Sequence, residues 1–131
     1  LAANPDKVRV VFKHLPLPMH PQAELAALAA IAAQRQGKFW EMHDALFAVQ
    51  QWTPAAVTET ATRIKLDMTR FQADLNSQET RMQLAKDKAD AQAAEVAATP
   101  SVFVNGRPVR ERSLPALQAM VNEALAAQGA K

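Results

Sequence analysis

Ala98-Thr99-Pro100-Ser101-Val102-Phe103-Val104-Asn105-Gly106-Arg107-Pro108-Val109 is the stretch whose reading decides the fold. Proline at 100 biases Thr99 toward an extended backbone and ends any helix before it. Ser101 to Val104 then forms a short apolar strand. Asn105-Gly106 favours the type I′ turn, in which both central residues take positive φ, so Arg107-Pro108-Val109 returns antiparallel to Val102–Val104. The expected hairpin spans 101–109. Pro108 has no N–H to donate, which makes the returning strand an edge.

Working outward from the hairpin, Ser113 can cap a C-terminal helix over 114–128, with Leu114, Leu117, Met120, Val121 and Leu125 facing inward and Gly129 ending it. Upstream lies a helical region over 22–97. Met19-His20-Pro21 is expected to open its first helix, with proline in the first turn, and Leu25, Leu28 and Ile31 lie toward one side before Gly37 stops it. Phe39, Met42, His43, Leu46 and Phe47 follow the i, i+3, i+4, i+7, i+8 spacing of a single buried stripe, which makes His43 a packed core histidine. Thr53-Pro54 and Asp67 are helix starts, followed by the inward residues Val57, Thr60, Ala61 and Ile64 and then Met68, Phe71 and Leu75. Asn76 and Glu79 match a capping box, and Met82, Ala85, Ala89, Ala93 and Val96 mark the inner face of the long helix behind it.

At the front, Val8-Arg9-Val10-Val11-Phe12 is β-branched and bounded by Asn4-Pro5-Asp6 and by Pro16 and Pro18, which predicts a strand over 8–13. Leu1–Ala3 has the composition of a helix tail. The order of elements is one strand, several helices, a strand pair and a last helix, in one domain covering 1–131.

Composition limits the function. With 131 residues, 49% hydrophobic and 21% charged, the chain is a typical globular domain with no disordered tract. Its formal charge is +2, and the one basic cluster, Arg107, Arg110 and Arg112, has no interleaved aromatics, so no nucleic acid partner is expected. No apolar run approaches the ~18 residues of a membrane span, so a soluble chain is expected. No basic segment leads into an apolar one after Leu1, and a processed or trimmed start is expected. There is no cysteine, so these residues hold no disulfide, thiolate metal site or cysteine nucleophile. His14, His20 and His43 lack metal-ligand spacing, and no metal or cofactor is expected.

The blocks Asp6 to Pro18 with His20 to Ala26, Gln36 to Phe47, and Ala98 to Arg107 resemble, in order, the second strand and following helix, the next helix, and the cis-proline loop and hairpin of DsbA-like thiol:disulfide oxidoreductases. One departure is Ala98, where members of that family usually have glycine. The resemblance implies an α/β thioredoxin-like fold with a helical insertion. In such domains a Cys-X-X-Cys motif lies between the first strand and first helix, where the helix N-terminus favours the thiolate. No catalytic residue is present in this chain. The resemblance implies a cis Thr99–Pro100 bond facing the cysteines, with Ala98, Thr99 and Pro100 binding an extended protein or peptide substrate. His14 at the end of the front strand would lie near the site.

The first, central strand of that topology is missing here, which would leave its two neighbours with unpaired backbone and exposed apolar faces. Its place would be filled by an upstream segment, a strand from a second chain, or a rearranged sheet. Leu1 to Asp6 resembles the end of the family's first helix and its exit loop. Implied with the family is a periplasmic or secreted setting. These residues alone should neither reduce insulin nor oxidise dithiols. Two alternatives stay open: a redox-silent peptide-binding or domain-swapped module, and a glutathione-dependent isomerase or transferase of the same fold.

Overall fold

The computed structural model describes residues 6–127 and divides the chain into two compact units, Lys13–Ala97 and a second made of Leu1–Phe12 with Ala98–Lys131. The expected helix tail at Leu1–Ala3 and the helix end at Gly129 lie outside the described residues.

The first unit is helical: α1 (Ala23–Gln34), α2 (Phe39–Phe47), α3 (Pro54–Arg63), α4 (Met68–Leu75) and α5 (Gln78–Ala93). Its centre is α1, against which all four other helices pack. Every residue from Ala26 to Ala33 is buried, so α1 has no solvent face along this run rather than the one-sided stripe of Leu25, Leu28 and Ile31. A helix that is apolar all round is buried all round, and alanine lets its neighbours approach closely. The helix begins at Ala23, so Pro21 lies in the preceding turn, whose bonds run from His20 N–H to Leu17 O and Ala23 N–H to His20 O.

Around α1 sit Met42, Leu46, Val57, Ala61, Leu66 and Phe71, all buried in one cluster. Thr53 Oγ1 accepts from the Ala56 N–H at 3.1 Å and Asp67 Oδ1 from the Arg70 N–H at 3.2 Å, so both expected caps form. The cap of α5 is one residue later than expected: Ser77 Oγ accepts from the Thr80 N–H at 3.2 Å. Asn76 instead ends α4, its side-chain amide donating to Gln72 O at 3.0 Å.

Three helices end alike. Gly37, Lys65 and Glu95 take φ of 73°, 66° and 59°. The next N–H then reaches back, from Lys38 to Ala33 O, Leu66 to Ala61 O and Val96 to Ala91 O, the closing bond of a Schellman motif.

The expected faces of α5 and α2 differ as well. On α5 the buried residues are Thr80, Leu84 and Asp87, whereas Met82, Ala85, Ala89 and Ala93 are exposed. The inner stripe carries two polar groups because each has a partner there. On α2 the core takes Met42 and Leu46, while Phe47 is 77% exposed and His43 only half-buried. Phe47 turns toward the outer side, and His43, its side chain 22% exposed, packs at the edge of the core rather than within it.

The second unit holds the hairpin β1 (Phe103–Val104) and β2 (Arg107–Pro108) and the helix α6 (Leu114–Ala127). The register pairs Phe103 with Pro108 and Val104 with Arg107, and Asn105 and Gly106 both take positive φ, as the turn requires. Val109 N–H continues the ladder to Val102 O at 2.8 Å. Ser113 Oγ accepts from the Ala116 N–H at 3.3 Å and caps α6.

The strand expected over 8–13 is not formed. A strand exists only through a hydrogen-bonded neighbour, and among the described residues the only sheet is the β1–β2 hairpin. Val10, Val11 and Phe12 are 49%, 60% and 42% exposed despite their strand-forming composition.

Candidate functional site

Ala98, Thr99 and Pro100 share one exposed loop between the end of the helical unit and β1. The Thr99–Pro100 peptide bond is cis. Ser101 Oγ donates to Ala98 O at 2.6 Å, so the hydroxyl just past the proline ties the loop back onto its own first residue. The hairpin then leads away through Phe103, itself exposed. A short, internally pinned, exposed loop is suited to meeting another polypeptide, since it loses little freedom on binding.

The basic turn after the hairpin is partly neutralised. Arg107 Nη1 donates to Glu123 Oε2 on α6 at 3.2 Å, and Glu111 sits beside Arg110 in the sequence. An open groove of about 460 Å³ runs there, with Val109, Ala116 and Met120 as its apolar lining.

His14 belongs to the helical unit and is buried. Its backbone N–H donates to Asp87 Oδ2 on α5 at 2.9 Å, and its ring meets Phe39 on α2 edge-on, with centroids 5.8 Å apart. Burial holds the imidazole below its ordinary pKa of 6.5, with Asp87 pulling it up and His43 pushing it further down. A neutral imidazole is therefore favoured.

The sequence pattern places Asp87 off the core face. Its carboxylate is 2% exposed and accepts both the His14 N–H and Gln83 Nε2, the latter at 3.0 Å. One turn on, Asp90 Oδ2 takes Lys13 Nζ at 3.0 Å and Lys86 Nζ at 3.1 Å. The lysine bonds hold the Asp90 carboxyl below its ordinary value, Lys13 contributing most, and the same contact raises Lys13. Residues 13 and 14 are thus clamped to α5 by two aspartates three apart. The spacing of Asp87 and Asp90 was the available signal. It lay off the face assigned to the core.

Among the described residues no group of three His, Asp or Glu side chains could hold a metal ion, and no helix is long and apolar enough to cross a membrane.

A thioredoxin family model matches residues 2–123. The crystal structure of a thioredoxin-like oxidoreductase from Silicibacter pomeroyi DSS-3 superposes with a TM-score of 0.83 at 30% identity, over 95% of this chain and 72% of that one. Among curated sequences, the Na(+)/H(+) antiporter NhaA 3 of Salinispora tropica is 44% identical over 82% of this chain. The Na(+)/H(+) antiporter NhaA 1 of Salinispora arenicola is 43% identical over 91%. The chain spans only 17% and 19% of the lengths of those two relatives.

Proposed function

Because this chain belongs to the thioredoxin family, we propose that it is the substrate-facing part of a DsbA-like thiol:disulfide oxidoreductase. The observation that carries this reading is the likeness, at 30% identity, to a thioredoxin-like oxidoreductase of which more than a quarter lies beyond the match. The exposed Ala98–Pro100 loop supplies the surface that meets an extended protein or peptide substrate. The redox cysteines belong to a strand-and-helix segment outside these residues. That segment would pair with the β-branched run Val8–Phe12, whose composition is that of a strand.

In thiol–disulfide exchange a thiolate attacks one sulfur of a disulfide. One S–S bond forms as another breaks, and the departing thiolate takes a proton. Here this chain would hold the peptide flanking the reacting sulfur and shield the exchange from water. Such chemistry persists in periplasmic or secreted compartments, the setting we assign to the whole protein.

The coding sequence upstream of Leu1 tests this reading. A strand, a Cys-X-X-Cys and a helix are expected there, and the longer protein should oxidise dithiols or reduce insulin while the 131 residues alone do neither. A gene product lacking both cysteines would sink the proposal and leave a redox-silent peptide-binding module.

The curated relatives favour a second setting. Their names belong to sodium/proton antiporters of which a segment like this one is less than a fifth, so the domain can be one module of a longer membrane protein. The same upstream sequence decides it. Membrane spans in the same reading frame would support the setting, and a reading frame without them would remove it.

A further inference from the structure

The loop assigned to substrate hangs on one side-chain bond. Before it, Val96 N–H closes α5 on Ala91 O at 2.9 Å, and after it Val102 O takes the Val109 N–H at 2.8 Å. Residues 97–101, between these two fixed points, are all exposed. Among the described residues they make a single hydrogen bond, from Ser101 Oγ to Ala98 O at 2.6 Å.

That bond is well placed to set the loop's shape. Ser101 adjoins Val102, whose carbonyl is already held in the hairpin ladder, so its hydroxyl carries the restraint back across the loop to Ala98. The direction of Ala98 O is thereby fixed, since hydrogen bonds weaken steeply off their preferred angles. Thr99 keeps its backbone N–H and C=O without a partner among the described residues, and Pro100 has no N–H to offer. A loop tied in this way meets part of the ordering cost of binding before the peptide arrives.

We propose that Ser101 is a positioning residue for substrate: its hydroxyl, acting through Ala98, holds Thr99 in the conformation on which an extended peptide docks. This role rests on the redox reading above. The bond is intact before and during exchange, so it helps to hold substrate and transition state alike. Such uniform binding shows in KM and leaves kcat in place.

The test has two arms. In the 131-residue chain, backbone order parameters of Ala98 and Thr99 from amide relaxation should fall in Ser101→Ala and recover in Ser101→Thr, which restores the hydroxyl. In the longer protein, Ser101→Ala should raise KM for a peptide dithiol by about threefold to tenfold, the worth of one hydrogen bond. Its kcat should stay within about twofold of the parent, and Ser101→Thr should restore KM. Unchanged order parameters in Ser101→Ala overturn the proposal. So does a fall in kcat with KM intact, or a loss that Ser101→Thr fails to repair. A longer protein without thiol–disulfide exchange sinks the redox reading and this role with it, whereas exchange with an unmoved KM in Ser101→Ala sinks this role alone.

Discussion

Two phenylalanines mark the contrast between the units. Phe71 on α4 is wholly buried at the centre of the helical unit, whereas Phe103 on β1 is 41% exposed. The same holds beyond these two residues. The helical unit has a continuous buried cluster drawn from α1 to α4, and α6 has no buried residue at all. One unit closes a core from its own helices. Among the described residues of the other, only Val109 is buried.

The largest expected effect sharpens that contrast. Phe71→Ala removes a ring with no solvent contact and should cost about 3–5 kcal/mol, measured by urea unfolding. Leu117→Ala on the half-buried side of α6 should cost under ~1 kcal/mol in this chain. In the longer protein proposed above, the same change should cost more, because a covered α6 would lose packing as well. Equal losses for the two variants in this chain would show that the hairpin unit already has a closed core.

Next in size is Asp87→Ala. It leaves the His14 N–H and the Gln83 amide without their shared acceptor, and an orphaned buried donor costs about 1–3 kcal/mol. Amide exchange reads it directly: the His14 N–H should be protected in the parent chain and fast in the variant. Unchanged protection would mean that residue 14 is not held by α5.

His14 gives a smaller, pH-dependent effect. Burial lowers its folded pKa below the ordinary 6.5, so between the two values the unfolded chain binds more protons than the folded one. Stability should be fully present above pH 6.5, fall as the pH drops through the folded value, and level off below it. His14→Gln should remove that slope in denaturant titrations across the acid range. A slope that survives the substitution would assign the dependence to another group.

Local features of the fold were legible, and features set by distant partners were not. Thr53, Asp67 and Ser113 could be read as caps because a cap bonds only three residues ahead. Asn105-Gly106 was readable as a hairpin turn for the same reason. The all-round burial of α1 was hidden because alanine marks no face. The inner face of α5 was missed because Thr80 and Asp87 are polar, and Asp87 is buried by a bond to residue 14, 73 positions away. Asn76 and Ser77 are both good caps, and the choice fell to Ser77 because Asn76 was already closing α4. At the candidate site, Pro100 announced the loop. No redox sulfur could be read there, because the chain has no cysteine.

The smallest expected effect comes from the other half of the same clamp. Asp90 bonds Lys13 and Lys86 much as Asp87 bonds the His14 backbone, yet its side chain and both lysines stand in solvent. Water screens the pair and replaces either partner when it is lost, and holding two long side chains still costs entropy. Asp90→Asn should therefore leave the unfolding midpoint almost unmoved, and the small difference from the parent should vanish as salt is raised. Asp87→Asn, three residues earlier and buried, should lose stability at every salt concentration. If the two substitutions proved equal, burial would not be what separates the two halves of the clamp.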